Sequence, residues 1–148
     1  MNESPSVEVK VMDPESYFGL LESFLDEGKD VEMTPKGNSM LPFIRGGRDS
    51  VLLTKPSRPL ESGDIVLFKV NGHYVMHRIL EVNGDRLLIM GDGNIGNTES
   101  CGVGDVIGLV TEIHKPGGKI VKPGKARFWR RLRPIRRIIL AFYKLLFL

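Results

Sequence analysis

Hydrophobic and polar positions follow two different periods along this chain, and the changes of period divide it into three parts. Tyr17, Phe18, Leu20, Leu21, Phe24 and Leu25 recur at three- and four-residue steps, the spacing of an amphipathic helix. Asp13 reads as its N-cap, Pro14 suits its first position, and Gly28 is placed to stop it. From residue 30 the character changes. Val51 to Leu53, Ile65 to Val70, His73 to Val82, Leu87 to Met90 and Val106 to Ile113 are β-type runs. Turn signals separate them: Ser62-Gly63-Asp64, Asn71-Gly72, Asn83-Gly84-Asp85 and Pro116-Gly117-Gly118. Asn-Gly between two strands predicts a type I′ hairpin, because both central residues need positive φ, and the pair occurs twice. From Ala126 the helical period returns, with Phe128, Leu132, Ile135, Ile139, Phe142 and Leu146 as one apolar stripe. Pro134 should kink that helix or begin a second one. The expected organisation is a helix within residues 1–29, packed on one mostly antiparallel β domain over 30–123. A basic amphipathic helix over 124–148 follows.

Charge sharpens this division. Residues 1–114 hold 10 Lys/Arg against 18 Asp/Glu, a balance of −8, whereas residues 115–148 hold 11 Lys/Arg and no acid. An acidic body with a cationic end argues against a nucleic-acid binder, since phosphates would repel the body, and no nucleic-acid partner is expected. Arg127, Arg130, Arg131, Arg133, Arg136 and Arg137 crowd the first half of the last segment, and its final 11 residues are apolar apart from Lys144. As helix those residues reach only ~16 Å, about half a bilayer core. Ala126 to Leu148 therefore reads as lying in the plane of an anionic membrane surface. The alternative is that its stripe packs on the β domain or on a second subunit. The single cysteine, Cys101, excludes an internal disulfide framework and a multi-cysteine zinc cage. No basic start followed by an apolar core opens Met1 to Val11, and no run of about 18 apolar residues predicts a membrane span.

Three blocks carry candidate chemistry. They are Lys36-Gly37-Asn38-Ser39-Met40-Leu41-Pro42; Gly63-Asp64-Ile65-Val66 leading to His77-Arg78-Ile79; and Met90-Gly91-Asp92-Gly93-Asn94. Singly, each has a plain structural reading: a turn hydroxyl, a packed strand histidine, an Asx turn. Together they supply a nucleophile and its activators. A serine hydroxyl needs a base to take its proton, and a neutral imidazole does this near pH 7. A carboxylate on the other ring nitrogen would fix the tautomer and stabilise the imidazolium. Ser39 is the candidate nucleophile, His77 the base and Asp92 the acid. Ser39 could aim its own backbone N–H at the developing oxyanion, and its neighbours Gly37, Asn38 and Met40 are the candidate substrate and oxyanion residues.

In the order Ser-Met-x-Pro, Gly-Asp-Ile-Val, His-Arg-Ile, Gly-Asp-x-Asn, these blocks resemble the type I signal peptidases and, more distantly, the self-cleaving LexA-like repressors. The resemblance spans about residues 36–113. It implies a β-rich peptidase fold that binds an extended peptide as an added strand and cuts it through an acyl-enzyme, with small side chains preferred before the cut. Ser39 matches the nucleophile. His77 stands where bacterial signal peptidases carry a lysine, so the chain is similar to the endoplasmic-reticulum and archaeal branch. The triad acid of that branch aligns with Thr98, which cannot serve as a carboxylate, so Asp92, Glu99 or no acid completes the set. Gly37 replaces the hydroxyl residue that often lines the oxyanion hole, leaving backbone N–H groups or the Asn38 amide. The family's N-terminal anchor has no counterpart here, which places the expected enzyme on the cytoplasmic side, with a leader peptide or cytosolic precursor as substrate and peripheral association with the membrane face.

Other residues are set aside. His73 and His114 are expected at solvated hairpin ends, and Cys101 lacks a thiol-protease context. Asp92-Gly93-Asn94 begins like a calcium loop, but its twelfth position is Val103 instead of glutamate. No metal and no cofactor are expected. Two functions remain: a serine endopeptidase, and a catalytically impaired peptide-binding or membrane-recruitment module on the same fold.

Overall fold

Residues 14–148 are described by a computed structural model, and Asp13 and the Met1 to Val11 stretch lie outside them. Eight strands form one sheet: β1 Val31–Met33, β2 Ser50–Thr54, β3 Ile65–Val70, β4 His73–Asn83, β5 Arg86–Met90, β6 Glu99–Gly102, β7 Val106–His114 and β8 Ile120–Val121. Their spatial order is β1-β2-β7-β3-β4-β5-β6, with β8 on β7, and every pairing is antiparallel. The mostly β fold expected from the turn signals is the fold found. β1, β6 and β8 went unread because each has four residues or fewer and too little apolar alternation to signal a strand.

The period of two in β3 explains the core. Ile65 and Leu67 enter one cluster with Val51, Leu53, Val110 and Ile113, while Val66 and Phe68 enter a second with Ile79, Leu87, Ile89 and Cys101. Successive residues point to opposite faces, so a strand apolar at four consecutive positions must be covered on both. Helix α1, Pro14–Asp26, covers the first face with Leu21 and Leu25, and Phe18 stacks on Tyr74 at 4.4 Å. It stops as expected at Gly28, whose φ of +79° suits glycine.

The two Asn-Gly turns differ. Val70 pairs with His73, so Asn71 and Gly72 are the central residues, both with positive φ, as a type I′ turn requires. In the second hairpin Asn83 pairs with Arg86, so the loop is Gly84-Asp85 and only Gly84 has positive φ. The expected turn is displaced by one residue.

The C-terminal segment is two helices, α2 Arg127–Arg131 and α3 Arg136–Phe147, joined by a 3-10 turn over Arg133–Ile135. Pro134 sits in that turn, where its missing N–H breaks the ladder. The break shifts the phase of the apolar face. Trp129 and Leu140 are buried with Leu41, and Leu132, Ile139 and Tyr143 pack around them. Of the expected apolar stripe, Phe128, Phe142 and Leu146 are instead 74%, 62% and 72% exposed, so only part of it packs on the domain. No helix among the described residues is long and apolar enough to cross a membrane.

Candidate active site

Ser39 lies in the long loop between β1 and β2. Two glycines close the neck of that loop. The Gly47 N–H donates to the Pro35 carbonyl at 2.8 Å, and Gly46 runs so near Gly37 that a Cβ there would strike the Gly37 carbonyl. Met40, Leu41 and Ile44 anchor the loop in the core, and the Met40 carbonyl accepts from the N–H groups of Phe43 and Ile44. Its far end is pinned by buried Asp49, which accepts from the Arg45 N–H at 2.7 Å and from Lys115 Nζ at 2.6 Å. Lys115 also donates to the Phe43 carbonyl at 2.7 Å. The N–H groups of Ser39 and Met40 enter no backbone hydrogen bond among the described residues.

The third block cradles this loop. The Gly93 N–H donates to the Ser39 carbonyl at 2.7 Å, and Asn94 closes the turn back to the Gly91 carbonyl at 3.0 Å. Neither glycine tolerates a side chain. A Cβ on Gly93 would strike the Asn38 carbonyl, and one on Gly91 would strike the Ser39 carbonyl and lie 3.0 Å from His77 Cδ2. Gly91 thus marks the point where the serine loop and the His77 ring meet.

His77 is held in the middle of β4, paired with Val66 on β3 and only 4% exposed. Burial pushes its imidazole below the ordinary value of 6.5, while Glu99 and Asp92 work the other way. The neutral, proton-accepting form is therefore favoured at neutral pH. Its Nδ1 faces Glu99 Oε1 at 3.5 Å and has no hydrogen-bond partner among the described residues. Glu99 reaches it from β6, where it pairs with Ile89. No hydrogen bond joins Ser39 to His77 among the described residues.

Asp92 is placed differently from its expected role as the triad acid. Its carboxylate accepts from Arg78 Nε at 2.9 and 3.0 Å and from Arg78 Nη2 at 2.8 Å, with both side chains buried. Burial pushes the Asp92 carboxyl up, and the Arg78 guanidinium opposes it. Its carbonyl accepts from Trp129 Nε1 at 2.8 Å. Arg78 also donates to the Gly63 and Gly124 carbonyls at 2.8 and 2.9 Å. Asp92 therefore joins β4, the serine cradle and α2, and the carboxylate facing the imidazole belongs to Glu99. Arg78 carried the signal for this, since a cation inside an apolar strand needs a buried acid. Trp129 carried none, because its partner is a main-chain oxygen.

The histidines set aside earlier also separate. His73 is exposed, but His114 is held between Glu32 Oε1 at 3.0 Å and Glu112 Oε2 at 2.8 Å. Burial pushes the Cys101 thiol up, which keeps it protonated and unreactive.

The Ser39 peptide thus meets a buried strand histidine on a mostly antiparallel sheet. The sequence pattern of the Peptidase S24-like family matches residues 4–100, and the chain belongs to that family. No curated protein matches the chain.

Proposed function

We propose that this chain is a serine endopeptidase of the histidine-containing branch, with Ser39 as nucleophile, His77 as base and Glu99 as the acid behind it. The observation that carries the reading is the meeting of the Ser39 peptide and the His77 ring at Gly91, where only glycine fits. Ser39 Oγ gives its proton to His77 and attacks the substrate carbonyl, whose developing charge lies near the N–H groups of Ser39 and Met40. The imidazolium returns the proton to the leaving amine, and water then hydrolyses the acyl-enzyme by the same route. Glu99 closes on Nδ1 as charge develops there, since catalytic hydrogen bonds tighten from looser unliganded geometry. The substrate is an extended leader- or signal-like segment.

A phosphonylating probe directed at serine tests this. The wild-type chain should be labelled at Ser39, Ser39→Ala should abolish labelling, and His77→Gln should slow it at least about 100-fold. A wild-type chain that stays unlabelled, or labelling indifferent to His77, refutes the proposal. The missing Ser39–His77 hydrogen bond favours a second reading, a peptide-binding module on the same fold. That reading predicts an unlabelled chain that still binds an extended peptide.

A further inference from the structure

Outside the serine–histidine site, a concentration of positive charge lies where α2 and α3 meet the sheet. A cavity of about 340 Å³ is ringed by Arg127, Arg130, Arg131, Arg133 and Arg136, over Met90. Nothing on these helices neutralises it, because no acidic residue follows Glu112. Neighbouring acids are engaged elsewhere, Asp92 by Arg78 and Glu61 by Lys125. Arg130 finds only neutral acceptors, Ser62 Oγ at 2.6 Å and the Leu80 carbonyl at 3.2 Å. Arg127, Arg131 and Arg133 form no ion pair among the described residues. Arg136 is 2% exposed; its Nη1 and Nη2 donate to the Asn94 and Trp129 carbonyls at 3.3 and 3.2 Å, neutral acceptors again, and its Nε has no hydrogen-bond partner among the described residues. Five guanidiniums held around one hollow repel one another and call for an anion with several oxygens.

On its side away from Arg136 and Leu140, α3 exposes a continuous apolar row. Ile138, Phe142 and Leu145 recur at four and three residues, so they run along one side of the helix, and Leu146 and Leu148 extend it. Arg137 and Lys144, seven residues apart, border the row with positive charge. The opposite side is committed to the domain through Leu140, Ile139 and Tyr143. An exposed apolar row bordered by Arg137 and Lys144, on helices that also carry the arginine cavity, matches a surface that offers phosphates above acyl chains. We propose that the α2–α3 face docks on an anionic lipid surface, with a lipid phosphate in the arginine cavity and Ile138, Phe142 and Leu145 in the acyl boundary. The proposal stands apart from the peptidase reading.

Flotation of the full chain with vesicles tests it without reference to activity. Truncation before α2 is unsuitable, because Trp129 and Leu140 belong to the core. The chain should float with vesicles containing phosphatidylglycerol and stay behind with phosphatidylcholine alone. The pair Arg131→Gln and Arg133→Gln, both at exposed positions, should weaken binding about 30-fold, and Phe142→Ser with Leu145→Ser should weaken it as well. Thermal unfolding of each variant shows whether it is folded. Four results would overturn the proposal: no flotation, equal flotation with neutral vesicles, saturation by inorganic phosphate without vesicle binding, or self-association through Phe142 in place of vesicle binding.

Discussion

Asp92 and Glu99 make a decisive pair of substitutions, because both are carboxylates near His77 and the structure gives them different work. Asp92→Asn keeps the shape of the side chain and removes its charge. Arg78 is then left fully buried, with its Nε and Nη2 facing a neutral amide that offers one oxygen where the carboxylate offered two. Breaking one side of a buried ion pair costs about 3–5 kcal/mol, because the remaining charge is uncompensated. For a chain of this length that corresponds to a drop of roughly 6–20 °C in Tm. Glu99 is 46% exposed and holds no hydrogen bond to His77, so Glu99→Gln should move stability by less than about 0.5 kcal/mol. Its effect belongs to the reaction, as labelling of Ser39 slowed at neutral pH with the fold intact. Denaturant unfolding and probe labelling on both variants give the contrast. Should Asp92→Asn unfold like the wild type while losing all labelling, Asp92 would be the acid behind His77 and the assignment to Glu99 would be wrong.

Gly91→Ala places a methyl group against the Ser39 carbonyl and 3.0 Å from the His77 ring, so labelling should be lost even where circular dichroism shows a folded chain. Trp129→Phe keeps an aromatic ring, though a smaller one, and removes the donor to the Asp92 carbonyl; it should cost about 1–3 kcal/mol in denaturant unfolding, as a buried acceptor is left unpaired. His77 titrates below 6.5 in the folded chain because of burial, so its contribution to stability is complete above pH 6.5 and is lost as pH falls toward the folded value. His77→Gln should flatten the stability curve in that window. His114 is the opposite case. Its hydrogen bond to Glu112, with a further one to Glu32, raises its value, so its contribution is present below 6.5 and disappears as pH rises through the folded value. His114→Gln should remove that alkaline step.

What the sequence made legible was local, and what it hid depended on register. Asn71-Gly72 announces its own turn, because the φ requirement is contained in two residues. The runs of β2, β3, β4, β5 and β7 were readable for the same reason, as each carries its own alternation. Asp92 could not be placed in this way. Its partner is set by the pairing of Arg78 with Met90, which puts the guanidinium beside the turn that follows β5. The acid shows the same limit more sharply. Alignment of blocks lands on Thr98, yet Glu99 begins β6 and faces the imidazole, and in a strand a step of one residue reverses the face. The helical stripe divides between packed and exposed residues for a related reason, since a 3-10 turn at Pro134 resets the phase that a continuous helix would have kept.

The C-terminal helices lie beyond the residues that the family pattern matches, and they still bear on the serine. The match ends at residue 100, before β7, which occupies the centre of the sheet between β2 and β3. The chain beyond β7 returns to the serine side, where Trp129 and Leu140 bury Leu41 and Trp129 Nε1 holds the Asp92 carbonyl. Leu41 is two residues from Ser39, and Asp92 is next to Gly93, whose N–H donates to the Ser39 carbonyl. Any force on α2 therefore reaches Ser39 from both sides of its peptide, through apolar packing and through one chain of hydrogen bonds. Loss of this support by Leu140→Ala should cost about 2–5 kcal/mol, as for other large-to-small core changes. If the helices also position the serine, the labelling rate should fall in the fraction that remains folded. A rate per folded molecule equal to wild type would show that they stabilise the domain without positioning the serine.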